Sequence, residues 1–327
     1  MSRILGMGNA LVDVLTILKS DRTLKEFELP KGSMQLVSRD CSNRLLAGTL
    51  GLKRQQSSGG SAANTIHGLA HLGMKTGFVG KIGKDNLGKF FKKDLKANHI
   101  TPILFQGLEE TGRSIALVSK DAERTMATYL GAAGNLLEED IDADIFKGYR
   151  YFHLEGYLVQ NRALIRKAAR IAKAQKLVVS LDMATYNIVS ENREFLANLI
   201  RDYVDILMAN ESEAEALTRK KAGKAIDAMA DMADVAVLKM GKEGSMLKRG
   251  AEQCKIGIER VNTIDTTGAG DLYAAGFLYG YCNGQSLDTC GRIGSILGGY
   301  VTEVIGARMD EQRWAMVKEK VDKICRV

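Results

Sequence analysis

The run Asp265-Thr266-Thr267-Gly268-Ala269-Gly270-Asp271 leads straight into the small and apolar residues 272–280. A segment that is apolar all round reads as a buried helix, and Gly268-Ala269-Gly270 then forms its N-terminal turn. Unpaired backbone N–H groups point outward from such a turn, and the helix dipole adds partial positive charge. Missing β-carbons let an anion such as a phosphate approach that backbone. Asp271 stands at the edge of the turn, where a carboxylate could accept a proton from an alcohol. Two readings are open on these residues alone. One is an anion hole with an adjacent general base, as phosphoryl transfer requires. The other is a glycine turn whose acidic first-turn residue favours the dipole.

Outward from this turn, short apolar runs rich in valine, isoleucine and leucine predict buried strands at 4–8, 77–82, 177–181, 205–209 and 235–240. Helical spacing alternates with them: Leu87, Phe90, Phe91 and Leu95 share one face, as do Leu164, Ile165, Ala168, Ala169, Ile171 and Ala172. The alternation predicts an α/β fold with a mostly parallel sheet covered on both faces. Residues 14–58 and 101–128 break the rhythm. The first holds the turn Pro30-Lys31-Gly32-Ser33; the second alternates over 114–118 and 125–129 around a charged turn, a hairpin with one polar face. These pieces predict a small β-rich lid, leaving 1–13, 59–100 and 129–327 as the α/β body.

Other segments fall where ligand-binding loops of such a sheet are expected. Gly59-Gly60-Ser61-Ala62-Ala63-Asn64 suggests a tight turn into a helix, with Asn64 one turn inside beside any ligand; close helix–sheet packing is the alternative. Asn9 and Asp13 follow the first strand and suit the hydroxyls of a sugar or ribose. Gly6-x-Gly8 lacks the third glycine of a dinucleotide fingerprint, because Leu11 stands there. Asn210-x-x-Glu213 is a ligand loop or a helix cap, and Lys239-Met240-Gly241-Lys242-Glu243-Gly244 a ligand loop or an ordinary turn. Tyr157 could stack on a purine, with Leu130 of the hairpin covering the other face; a half-buried packing tyrosine is the alternative. Arg124 in the lid could contact a phosphate or end a turn.

Composition bounds the classes. Of 327 residues, 34 are glycine and two are proline, with 45% hydrophobic and 26% charged. That excludes collagen-like and disordered chains. Eighteen of the glycines fall in residues 59–88 and 268–306, and none lies between Gly156 and Gly223. The net charge of +7 is too mild to argue for nucleic acid. Five cysteines without C-x-x-C spacing support neither a disulfide framework nor a zinc site. No signal-peptide pattern or membrane span is evident, so the expectation is a reduced, cytoplasmic protein.

Together these motifs, in this order, resemble the ribokinase-like (PfkB) family of carbohydrate and nucleoside kinases over essentially the whole length. The resemblance implies a three-layer α/β/α body with a β-sheet lid, and transfer of the ATP γ-phosphate to a small-molecule alcohol. It implies Asp271 as catalytic base, with Gly268, Ala269 and Gly270 as the anion hole. Asn9, Asp13, Gly59, Gly60 and Asn64 would hold substrate hydroxyls, and Lys239, Gly241, Gly244 and Thr267 would contact ATP. Asn210 and Glu213 would organise Mg2+ through water, and Asp265 would belong to a loop for a monovalent cation such as K+. Within the family, residues 8–13, 131–133 and 155–158 look more like adenosine-kinase-type members, implying a nucleoside 5′-hydroxyl as acceptor. Glu155 points the other way, since some sugar-kinase members bind substrate hydroxyls with a glutamate there. A ribokinase- or fructokinase-like sugar kinase is the runner-up, and a non-catalytic nucleotide-binding protein a third reading. The expected assembly is a monomer or a lid-mediated homodimer.

Overall fold

The computed structural model describes residues 3–121 and 123–326. Among them a nine-stranded sheet is ordered β14 (Glu252–Ile256), β13 (Ser245–Arg249), β12 (Val235–Lys239), β11 (Ile206–Asn210), β10 (Val178–Asp182), β9 (Tyr151–Glu155), β1 (Arg3–Met7), β5 (Lys75–Ile82) and β6 (Ile100–Gln106). The seven strands from β12 to β6 are mutually parallel; β13 and β14 extend the edge antiparallel. Strands this rich in branched apolar residues must be covered on both sides. Ile4, Ile206, Met208, Val235 and Val237 join one core with the helices Ser61–His71, Ala269–Cys282, Leu287–Val301 and Glu311–Cys325. Leu5, Met7, Leu207, Ala209 and Leu238 alternate to the other face, against Arg162–Ala174, Arg193–Tyr203 and Ala222–Ala230. The result is the ribokinase-like three-layer body.

A separate five-stranded sheet forms the lid, ordered β3 (Met34–Leu36), β8 (Arg124–Gly131), β7 (Thr111–Val118), β2 (Leu11–Ile17) and β4 (Arg54–Gly59). Three details differ from the sequence expectation. Residues 100–106 are the edge strand of the large sheet, pairing parallel with β5, rather than lid. Pro102 is compatible with that place because an edge strand tolerates a missing ladder donor. The lid begins at Leu11, so Asp13 and Gly59 are lid-strand residues, and β8 runs three residues past 128. The segment 14–58 also holds the helix Arg39–Gly48, started by Ser38, whose hydroxyl accepts from the Cys41 N–H at 3.2 Å. That helix covers the apolar face of the hairpin, where Ile115, Leu117 and Ala127 join a core with Leu45, while Ser114 and Thr128 on the polar face line the cleft. Arg113 is buried there, bonded to Ser42 at 2.7 Å and to Asn43.

The helix Ala269–Cys282 is buried along most of its length, as its composition required. Glycine lets a neighbour come close: a Cβ on Gly276 would lie 2.6 Å from the Ile293 carbonyl oxygen, and one on Gly280 3.0 Å from the Cys290 Cα. Alanine is the better helix former by about 1 kcal/mol, yet here its methyl must displace backbone. Gly276→Ala is therefore expected to destabilise the protein by roughly 1–3 kcal/mol, the usual cost of overpacking. Urea denaturation checks this, and a stabilised variant would contradict it.

Candidate active site

Parallel strands all end on one edge of the sheet. Four neighbours end there on polar side chains: Glu155 on β9, Asp182 on β10, Asn210 on β11 and Lys239 on β12. In register, Glu155 pairs with Asp182 and Asn210 with Lys239. Two helices begin above this row. Ser61–His71 is capped by Gly60 at φ 95°, and Ala269–Cys282 by Gly268 at φ 75°. Both caps need the left-handed backbone region that glycine enters without strain. A Cβ on Gly60 would also collide with the Asn9 carbonyl.

Asp271 joins the two helix starts. Ser61 Oγ donates to Asp271 Oδ1 at 2.7 Å, and Asn64 Nδ2 donates to Oδ2 at 2.8 Å. Thr65 Oγ1 donates to the Asp271 carbonyl at 3.1 Å, locking helix to helix. Lys239 extends beneath the glycine turn. Its Nζ lies 2.7 Å from both Asp182 carboxylate oxygens and 3.3 Å from where a Cβ on Gly270 would stand. Burial works against the Lys239 charge, but Asp182 and Glu213 hold its pKa above the ordinary value.

A cleft of about 800 Å³ opens over these groups. It is lined by Asn9, Asp13, Gly60, Asn64, Leu130, Glu155, Tyr157, Asn210, Glu213, Lys239, Gly241, Gly244, Thr267, Gly268, Ala269, Gly270 and Asp271. Two residues singled out in the sequence stand behind it. Gly59 backs Asp13, whose carboxylate occupies the space of a Gly59 Cβ. Asp265 turns inward: its Oδ1 accepts from the Thr267 N–H at 3.1 Å and its Oδ2 from the Gly306 N–H at 2.6 Å. Arg124 reaches down from the lid to form an ion pair with Asp265 and to donate to Thr267 Oγ1. A guanidinium thus supplies the positive charge at Asp265, and that carboxylate does not fit a monovalent cation in this arrangement.

Glu155 also differs from its expected role. It is 1% exposed, and both its oxygens are engaged. Oε1 accepts from the Asn9 N–H at 2.9 Å and Asn9 Nδ2 at 2.8 Å, and Oε2 from the Ala62 N–H at 2.9 Å. It ties the end of β1 to the Gly60 helix instead of reaching for a hydroxyl. Asn210 and Glu213 form a reciprocal cap of the helix Glu211–Thr218. Asn210 N and Nδ2 donate to the two Glu213 oxygens at 2.9 and 2.6 Å, and Glu213 N returns a bond to Asn210 Oδ1 at 2.9 Å. The motif is a helix cap, and both of its residues also line the cleft.

Sequence reasoning passed over Asp182, Arg308, and the lid side chains Leu11, Met34, Leu36 and Met126 that line the cleft. Asp182 carried a usable signal, since it follows the apolar run 177–181 as Asn210 follows 205–209. Arg308 and the lid residues carried none, because their place depends on how distant segments meet.

Burial pushes four carboxyls upward, Asp182 among them with Lys239 opposing. Glu155 stands at about 7, with hydrogen bonds from Ala62 and Asn9 partly opposing. Glu213 stands at about 8, with Lys239 opposing and Asp182 and Asp271 adding. Asp13 stands at about 6, lowered by Arg308 and Arg124 and raised by Asp271. Each binds its proton more tightly folded than unfolded, so stability falls as pH rises through these values. Over pH 5–8 this cluster should make the unliganded protein less stable with increasing pH, and Glu213→Gln should flatten the upper part of that slope. Thermal unfolding across the range tests this; an unchanged slope in the variant would exclude Glu213 as a contributor.

Known proteins resemble this chain over most of its length. A crystal structure of adenosine kinase from Sinorhizobium meliloti is 35% identical, superposes with a TM-score of 0.89, and is matched over 98% of this chain and 99% of that one. A probable sugar kinase from Rhizobium etli is 33% identical with the same TM-score and 98% coverage of both chains. A 5-dehydro-2-deoxygluconokinase from Listeria monocytogenes is 28% identical over 253 residues, 72% of this chain and 78% of its own length. The pattern of the pfkB family carbohydrate kinases matches residues 44–313. A match over so much of the body, together with full-length likeness to kinases of known structure, makes this chain a kinase and a member of the pfkB family.

Proposed function

We propose that the protein transfers the γ-phosphate of ATP to the 5′-hydroxyl of a nucleoside, adenosine being the first candidate. The observation that carries the choice is the apolar wall of the lid. Leu11, Met34, Leu36, Met126 and Leu130 line the cleft together with Tyr157, and Leu36 remains 51% exposed. A bare sugar has hydroxyls on every side and would leave such a wall unmatched; a planar base would bury it. Ribose hydroxyls suit Asp13 and the amide of Asn64 at the floor. The sugar-kinase alternative draws on the names of the curated relatives.

In this reading Asp271 takes the hydroxyl proton. Ser61 and Asn64 would orient its carboxylate, each oxygen keeping a lone pair with which to accept the proton. The transition state of phosphoryl transfer is loose, and charge stabilisation matters more than base strength. The N–H groups at Gly268 and Gly270 and the Lys239 ammonium would supply that stabilisation, whereas the Ala269 N–H donates to the Thr266 carbonyl at 3.2 Å and is not available to an anion in this arrangement. Gly241, Gly244 and Thr267 would contact the nucleotide, and the lid would exclude water.

Magnesium is tested against the residues present. Among the described residues no cluster of three or more His, Cys, Asp and Glu side chains could hold a metal ion directly. The fit is to a hydrated ion: Glu213 shares the cleft with Asp182 and Asp271, whose carboxylates add to burial in disfavouring its charge while Lys239 opposes them, a negative field that a cation would relieve. Asn210 and Glu213 would hold such an ion through water, and it would supply positive charge against the developing charge of the phosphates. No step is assigned to K+.

Initial rates with adenosine, inosine, ribose, fructose and fructose 6-phosphate test the acceptor, and turnover of sugars without nucleosides would overturn the proposal. Asp271→Asn should cut kcat by about 10²-fold or more, the usual size of a general-base effect, while calorimetry still detects nucleotide binding. Full turnover in that variant would remove Asp271 from the mechanism.

A further inference from the structure

Arg308 lies in the loop after the helix Leu287–Val301, outside every motif of the reaction. Its Nη1 donates to Asn64 Oδ1 at 2.9 Å. Its Nη2 donates to the Ser58 carbonyl at 2.6 Å and to Ser58 Oγ at 2.9 Å. Ser58 belongs to lid strand β4, immediately before Gly59-Gly60, and its hydroxyl in turn donates to Asp94 on the helix Asn86–Ala97.

Chemistry fixes the direction of this chain of bonds. A guanidinium has donors only, so the group Asn64 turns toward Arg308 must be its oxygen. The amide NH2 is then committed to Asp271 Oδ2, 2.8 Å away. Without the guanidinium, the two ends of the Asn64 amide would be nearly equivalent in shape. Flipped, the amide would present an oxygen to a carboxylate oxygen, a repulsive contact in place of a hydrogen bond.

We propose that Arg308 is a positioning residue. It sets the orientation of the Asn64 amide against Asp271 and, through Ser58, makes that orientation depend on the seating of lid strand β4. The inference rests on the kinase reading for its effect on turnover, but not for the Arg308–Asn64 coupling itself. Arg308 is suited to the part: burial pulls its pKa down, while Asp94, Asp13 and Asp271 surround it with compensating charge.

The test is a double-mutant cycle of Arg308→Met and Asn64→Ala, with Arg308→Lys as the conservative variant. The probe is ATP–magnesium with whichever of adenosine, inosine, ribose or fructose the unmodified protein turns over fastest. Arg308→Met should lower kcat by about 10- to 100-fold, the scale of a misplaced catalytic group, with the KM for ATP within about threefold. Arg308→Lys should recover part of the loss, since one ammonium can still donate to Asn64. The double variant should be no slower than the slower single variant. Losses that multiply, or a full kcat in Arg308→Met, overturn the proposal. Should Arg308→Met fail to fold, the cycle is run with Arg308→Lys. A second readout needs no turnover: in urea, the double variant should unfold near the midpoint of the weaker single variant. Additive shifts there refute the coupling even if none of the four acceptors is phosphorylated, an outcome that would count against the kinase reading alone.

Discussion

The cleft is governed by the cost of keeping carboxylates away from water. Glu155, Asp182, Glu213 and Asp13 crowd around Asp271, and burial raises the first four above their ordinary pKa values. Each is held by a different device: Glu155 by backbone and amide donors from Asn9 and Ala62, Asp182 by Lys239, Glu213 by Asn210, and Asp13 by the more distant charges of Arg308 and Arg124. A buried charge is tolerable only when paired or hydrogen-bonded. These devices exist because parallel strands end together, next to helix starts rich in free N–H groups. In the proposed reading, an anionic nucleotide would meet this negative field, and the helix starts and Lys239 would offset it.

Glycine serves this arrangement in two distinct ways. At Gly60 and Gly268 it permits the backbone conformation that starts two helices at the cleft. At Gly68, Gly276 and Gly280 it lets helices approach until a methyl group would overlap a neighbour; a Cβ on Gly68 would lie 2.6 Å from the Ala275 Cβ. The second use supports the first. The bonds from Ser61, Asn64 and Thr65 to Asp271 require the two helices to lie close and in one register. Packing behind the site therefore fixes the geometry in front of it.

The body was legible because its signals are local. Strands such as 205–209 and 235–240 are continuous apolar runs, and the turn at Gly268 announces itself by composition. The lid was less legible. Residues 100–106 read as lid because a hairpin follows them directly, yet Ile103 packs against the body core. The helix Arg39–Gly48 was hidden by mixed polarity, which only its burial of Arg113 and packing on β8 explains. Within the site, residues on strand ends and glycine turns could be named from spacing. Arg308 could not, since its partners Asn64 and Ser58 lie 244 and 250 residues away.

The division between body and lid also accounts for the mixture of similar proteins, in which an adenosine kinase stands beside sugar kinases. The groups proposed to face the phosphoryl group, Lys239, Asn210, Glu213 and the 268–271 turn, all belong to the body. Those facing the far end of the cleft, Met34, Leu36, Met126 and Leu130, sit on lid strands β3 and β8. A lid strand can exchange the side chains of one face without disturbing its ladder, because alternate residues point to opposite faces. Acceptor choice can then change by substitution on that face while the transfer chemistry stays intact. Here the face is apolar, and in the proposed nucleoside reading it is this face that would meet the base while the polar groups of the cleft would meet the ribose.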